Sequence, residues 1–149
     1  MKRKKHTHIG VYGLVIHDDK ILLIKKANGP YKGKLDLPGG SLKHGERPEK
    51  TLIREMKEET GLVVTDYKIN NADSVSVEWN YDGEDVVTHH IGVFYDIVDY
   101  KGELEKKIDV DKENDDSLGA SFYKINNLTK EKVSLIVSLE LERLGYNLK

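Results

Sequence analysis

Three glutamates within five residues, Glu55, Glu58 and Glu59, lie in a segment that reads as a short helix. At about 100° per residue they fall on one side of it. Like charges at these spacings cost roughly 0.2–0.5 kcal/mol per pair in an isolated helix. Glu58 and Glu59 also stand near the helix C-terminus, where the macrodipole disfavours anions. Arg54 lies four residues before Glu58 and, with Lys57, offsets part of this charge. What remains makes chemical sense beside a hard divalent cation, because carboxylate oxygens are the donors that Mg²⁺ or Mn²⁺ prefers. A solvated surface helix rich in Glu and Lys is the plain alternative, and the surrounding residues decide between the two.

The helix is well specified. Pro48 suits its first turn, where a missing N–H costs nothing, and Gly61 suits a left-handed closing residue. Leu52, Ile53 and Met56 supply a core face. Ahead of it, Leu35-Asp36-Leu37 reads as a short strand entering the turn Pro38-Gly39-Gly40, whose glycines let a backbone approach a ligand closely. Ser41 to Gly45 is then a loop before Glu46, with His44 facing solvent.

The combined pattern is long and fixed: Gly40, five residues, Glu46, seven residues, Arg54-Glu55, an apolar residue, any residue, Glu58-Glu59, any residue, Gly61, an apolar residue. It resembles, at every fixed position, the sequence box of the Nudix hydrolases. The match is tight over Pro38–Leu62 and extends more loosely along the chain. The resemblance implies an α/β/α sandwich with a mixed sheet and a loop-helix catalytic motif. It implies a Mg²⁺-dependent hydrolase (Mn²⁺ as substitute) that cleaves the diphosphate bond of a nucleoside diphosphate linked to another moiety. It also implies metal ligands at Glu55, Glu58, Glu59 and the Gly40 carbonyl, with one box glutamate taking the proton of the attacking water. Arg54 would orient Glu58 or Glu46, and Glu46 would support the loop. A further acid just before the last strand is common in the family, and Asp116, ahead of Asp115, is the candidate here. Two other readings are a ligand-sensing Nudix domain without catalysis, against which the complete set of box glutamates weighs, and action on RNA 5′ ends.

The remaining sequence bounds these readings. With 149 residues the chain reads as one domain, residues 1–149, large enough for a core. The formal net charge of −2 gives no field that would draw it to nucleic acid or membrane. The absence of cysteine excludes a disulfide, a zinc-thiolate site and a thiol nucleophile. The basic start, MKRKKHTH, reads as a solvated tail, and the apolar run behind it is too interrupted for a signal peptide or membrane span. A cytoplasmic location is therefore expected, and a homodimer is left open.

Along the chain, Ile9 to Ile16 and Lys20 to Lys25 read as a hairpin buried on both faces. The loop from Ala27 to Lys34 reads either as a solvated loop or as a flap whose lysines, Lys32 and Lys34, meet phosphates; Lys32, with Lys25 in the strand before the loop, is a candidate to bind substrate. After the helix come strands at Val63 to Lys68, Val75 to Tyr81 and Val86 to Val98, the last two forming a hairpin. Trp79 and Tyr81 are candidates to stack a base, and one of His89 and His90 to line a pocket. Asp109, Asp111 and Glu113 suggest a calcium loop, but Asn114 stands where glycine is needed and Ala120 where a bidentate glutamate is needed. A strand from Ser121 to Ile125 and a helix capped by Asn127 or Thr129 and running to about Leu144 complete the reading.

Overall fold

The structure, a computed structural model, describes residues 3–105 and 117–149. Asp115 and Asp116, with the acidic run before them, lie outside the described residues. The elements follow as β1 (Lys4–Leu14), β2 (Ile16–His17), β3 (Lys20–Lys26), β4 (Leu35–Asp36), β5 (Gly39–Ser41), α1 (Pro48–Thr60), β6 (Val63–Tyr81), β7 (Glu84–Lys101), β8 (Ser117–Lys124), a 3₁₀ turn (Ile125–Asn127) and α2 (Leu135–Arg143).

Two four-stranded sheets form the middle layer. One has the order β5-β1-β7-β6; the other joins β2, β3 and β4, with β8 on β3. The first is mixed: β1 runs parallel to β7 and antiparallel to β5. The chain crosses from one sheet to the other at Val15, whose carbonyl accepts from Leu22 N–H at 3.0 Å. Side chains alternate across this layer with the period of two that extended backbone imposes. Val11, Val15 and Leu22 pack with Leu52 and Met56 of α1. Tyr12, Leu14, Ile21 and Leu23 pack instead with Ile136, Val137 and Leu141 of α2. Each helix thus buries its apolar stripe on one side of the strands, which is the expected α/β/α sandwich.

Helix α1 runs from Pro48 to Thr60 and closes on Gly61 at φ 82°, as its sequence predicts. Other expectations are corrected. The basic start is no free tail: Lys4 to His8 are in β1, paired in register with Val86 to His90. The predicted first hairpin survives only as Ile16–Ile21 and His17–Lys20, because β1 finds its partner in β7. Strand β6 is continuous over Val63–Tyr81, taking up its polar middle through register shifts near Asp66 and Asn70. Strand β8 begins at Ser117, before the expected Ser121. The last helix begins at Leu135, capped by Ser134, whose hydroxyl accepts from Val137 N–H at 3.3 Å and donates to buried Asp36 at 2.7 Å. Neither Asn127 nor Thr129 is the cap.

Beneath the cleft described below, β1 and β7 place Gly10 beside Gly92. The ring of Tyr12 lies over the first and that of Phe94 over the second, each where a Cβ would otherwise stand. No helix among the described residues is long and apolar enough to cross a membrane.

Candidate active site

The turn before α1 and the polar side of α1 meet at one end of a cleft of about 1000 Å³. β5 is held by pairing Gly40 with Val11 and Gly39 with Tyr12. Glu59 is buried and accepts from the Gly39 N–H at 2.9 Å. Glu55 packs against Gly40 so closely that a Cβ there would sit 2.6 Å from its carboxyl carbon. Glycine at position 40 is thus a matter of space. Glu58, one helical step on, is exposed at the rim.

Arg54 ties the loop to the helix. Its Nε and Nη2 donate to the two oxygens of Glu46, each at 3.0 Å, a bidentate pairing that lysine could not reproduce. Its Nη1 donates to Glu55 at 2.7 Å and, at 3.4 Å, to Glu58. Glu46 also accepts from Thr51 Oγ1 at 2.7 Å. Hydrogen bonds from Arg54 and then Thr51 hold the Glu46 carboxyl at about 2. Arg54 therefore engages both residues the sequence offered as its partners, and Glu46 braces the loop rather than facing the cleft.

Burial acts the other way on the inner glutamates. It pushes the Glu59 carboxyl well above the usual carboxylate range, against the Gly39 hydrogen bond. It raises Glu55 as well, against the hydrogen bond from Arg54. Desolvated carboxylates of this kind gain most from an added cation. Among the described residues no three acidic or histidine side chains already converge at coordinating distance. The fit to a divalent ion rests on donor type and placement: oxygen donors from Glu55, Glu58 and Glu59, and a glycine turn open enough to bring its backbone to them.

The other candidates separate. Trp79 lines the cleft. Tyr81 does not; it is 63% exposed near the hairpin tip, with its ring edge-on to Trp79 at 5.3 Å. Lys25 and Lys32 are exposed and outside the cleft wall, and Lys26 lines it instead. A register shift between Ile24 and Lys26 carries the chain past simple alternation at this point. His44 is exposed, as expected, and of the paired histidines it is His90 that reaches the cleft.

Sequence reasoning missed the group around His90. The ring is 2% exposed, with Tyr12 Oη 2.6 Å from Nε2 and Tyr31 Oη 3.0 Å from Nδ1. A neutral imidazole presents one N–H and one bare nitrogen, so one tyrosine accepts and the other donates. Burial, with His8 and Lys26 adding to it, lowers His90 to about 3. Tyr31 belongs to the loop between β3 and β4, so its burial pins Asn28 to Pro30 as one wall of the cleft. The available signal was the alternation His6, Thr7, His8, which places two histidines on one strand face.

Residues 6–136 match the NUDIX domain. An ADP-ribose pyrophosphatase of Methanocaldococcus jannaschii is 37% identical over 125 residues, 84% of this chain and 66% of that protein, so the chain spans slightly less than two thirds of its length. An 8-oxo-dGTP diphosphatase of Proteus vulgaris is 30% identical over 110 residues, 72% of this chain and 89% of that one. A crystal structure of a MutT NUDIX hydrolase from Burkholderia pseudomallei superposes with a TM-score of 0.73 at 22% identity, covering 94% of this chain and 99% of that one, and so shares its fold. With the box complete, its acids gathered on a glycine turn and the family pattern matched across most of the sequence, the chain belongs to the Nudix family.

Proposed function

We propose that this chain is a Mg²⁺-dependent pyrophosphohydrolase that splits the diphosphate of a nucleoside diphosphate linked to another group, releasing a nucleoside monophosphate and the phosphorylated remainder. The carrying observation is the pair of desolvated carboxylates, Glu55 and Glu59, packed on the Gly39-Gly40 turn at one end of a long cleft. Nudix hydrolases depend on divalent metal ions, and the names of the archaeal and Proteus relatives are those of enzymes acting on nucleotide derivatives.

In this reading Glu55, Glu58 and Glu59, with the Gly40 carbonyl, hold the ion. When bound it would neutralise phosphate oxygens and acidify a water. The chain's own residues do the rest. Lys26, at the cleft wall, opposes the negative charge of the diphosphate. Arg54 fixes Glu46 and Glu55, and through them the loop and the helix face. A box glutamate accepts the water's proton as the new P–O bond forms and the bridging oxygen leaves with the other phosphate. We propose the cytoplasm as its location and small nucleotides, ahead of RNA 5′ ends, as its substrates.

The test is phosphomonoester release from ADP-ribose, nucleotide sugars, dinucleoside polyphosphates, dNTPs and triphosphorylated RNA, in EDTA, Mg²⁺ and Mn²⁺. Metal-dependent turnover of a nucleoside diphosphate conjugate, lost in Glu58→Gln and Glu59→Gln, is expected. Wild-type turnover in both variants would overturn the site assignment. Tight nucleotide binding with no turnover in either metal would favour a sensing domain.

A further inference from the structure

The loop between β3 and β4 walls one side of the cleft through Asn28, Gly29 and Pro30, and its attachment is narrow. Its backbone hydrogen bonds give it a shape. Gly33 N–H donates to the Lys26 carbonyl at 2.9 Å, Lys34 N–H to that of Tyr31 at 2.9 Å and Lys32 N–H to that of Gly29 at 3.2 Å, all within the loop and its base. Of the described residues between Ile24 and Asp36, Tyr31 is the only buried one, at 4% exposure. Gly29 and Gly33 stand on either side of it, both at φ 82°, and at neither does anything lie within 4 Å of where a Cβ would be. With open space at both glycines, the loop takes its position chiefly from the side chain that is packed.

Tyr31 meets a fixed post. Its hydroxyl lies 3.0 Å from His90 Nδ1, and the two ring centroids are 5.5 Å apart. His90 stands within β7, level with His8 of β1 and Val75 of β6. Its Nε2 meets Tyr12 Oη at 2.6 Å, and the His8 ring stacks on it with centroids 4.8 Å apart. The imidazole is thus oriented from within the sheet, and Nδ1 is the edge left for Tyr31. Such prior ordering leaves less side-chain entropy to lose when the contact forms. The glutamates stand on another element, α1, where Arg54 holds Glu55 and the Gly39 N–H holds Glu59. A displaced loop therefore removes binding surface and leaves those carboxylates in place.

We propose that Tyr31 is a positioning residue for substrate binding: latched to His90, it holds residues 28–30 where they wall the cleft, so that the binding surface is formed before substrate arrives. This deepens the pyrophosphohydrolase reading and rests on it for what the wall binds. A wall that is seated only part of the time weakens apparent affinity by the seated fraction. The chemistry of substrate already bound against a seated wall is unchanged, so the latch acts on KM and not on kcat.

Two measurements on the intact protein test the latch, one of them without substrate. Lys32 and Lys34 put trypsin sites beside Tyr31. Tyr31→Phe removes the hydroxyl and keeps the ring; cleavage after Lys32, followed by mass, should be about tenfold faster than in wild type, with cleavage at other sites within about twofold. In turnover of ADP-ribose, or of the panel compound hydrolysed fastest, the same variant should raise KM about fivefold to tenfold with kcat within about twofold. In a His90→Phe background, where the bond is already absent, Tyr31→Phe should change neither measurement further. Unchanged cleavage after Lys32, cleavage accelerated alike at every site, an effect confined to kcat, or a full additional effect in the His90→Phe background would each overturn the latch. If His90→Phe does not fold, Tyr31→Phe decides alone. The two readings fail separately: faster cleavage after Lys32 with no hydrolysis of any compound sinks the enzymatic reading alone, and hydrolysis with KM and cleavage unchanged in Tyr31→Phe sinks the latch alone.

Discussion

His90 should make the protein acid-sensitive by a predictable amount. Its ring is neutral in the folded state because burial lowers it from 6.5 to about 3. In the unfolded chain the same imidazole takes up a proton as the pH falls below 6.5. The unfolded state then binds more protons than the native one, so stability declines as pH drops through the window from about 6.5 to about 3. Between pH 7 and pH 5 the imbalance is roughly 1.5 pH units, which at ~1.36 kcal/mol per unit is ~2 kcal/mol. The perturbation is His90→Gln, whose amide retains one donor and one acceptor for Tyr12 and Tyr31 but does not titrate. The assay is urea unfolding of both proteins at the two pH values. With an m-value near 2 kcal/mol/M, the wild-type midpoint should fall by about 1 M more than that of the variant. Carboxylates such as Glu46 titrate in both proteins and cancel in the difference. Parallel losses in the two proteins would refute the reasoning, since His90 would then titrate alike in the folded and unfolded chains.

Three further outcomes follow from the site and its supports. Glu59→Gln should keep the Gly39 hydrogen bond and remove a desolvated carboxylate, so thermal unfolding in EDTA should show a midpoint equal to or above wild type while kcat falls by about a hundredfold or more. Gly40→Ala should fold, because the atoms its Cβ meets are the mobile end of Glu55, yet displacing that carboxylate should raise the Mg²⁺ concentration for half-maximal activity by about tenfold or more, read from a metal titration of turnover. Ser134→Ala should cost about 1–2 kcal/mol in denaturant unfolding, through the lost cap and the hydroxyl that Asp36 accepts from, with KM unchanged.

Local chemistry was legible in the sequence wherever a residue acts through its own neighbours. Pro48 and Gly61 marked the ends of α1 because capping depends on a few adjacent backbone groups. The glutamate cluster and the glycine turn could be read for the same reason. What could not be read was pairing at a distance. Nothing near Lys4 announces that Val86 will lie beside it, so a basic strand looked like a tail. Ser134 becomes a cap partly through Asp36, far away in the chain. Lys26 replaced Lys25 at the cleft because a register shift changes which way a residue faces, and a bulge leaves no mark on hydrophobic periodicity. His90 alternates with its neighbours like any strand residue; only the fold brings Tyr12 and Tyr31 to its two nitrogens.

The adjacent bare backbone at Gly10 and Gly92 gives the two inner rings somewhere to recline. Of the two, only the Tyr12 ring lines the cleft, so its floor there is governed from underneath by Gly10, while Phe94 belongs to the core below. A single methyl at Gly10 would stand where the Tyr12 ring lies and push that ring from its place at the cleft floor. An engineer wishing to shift this scaffold toward slimmer or bulkier guests would find the adjusting screw there, well away from the acids that do the cutting.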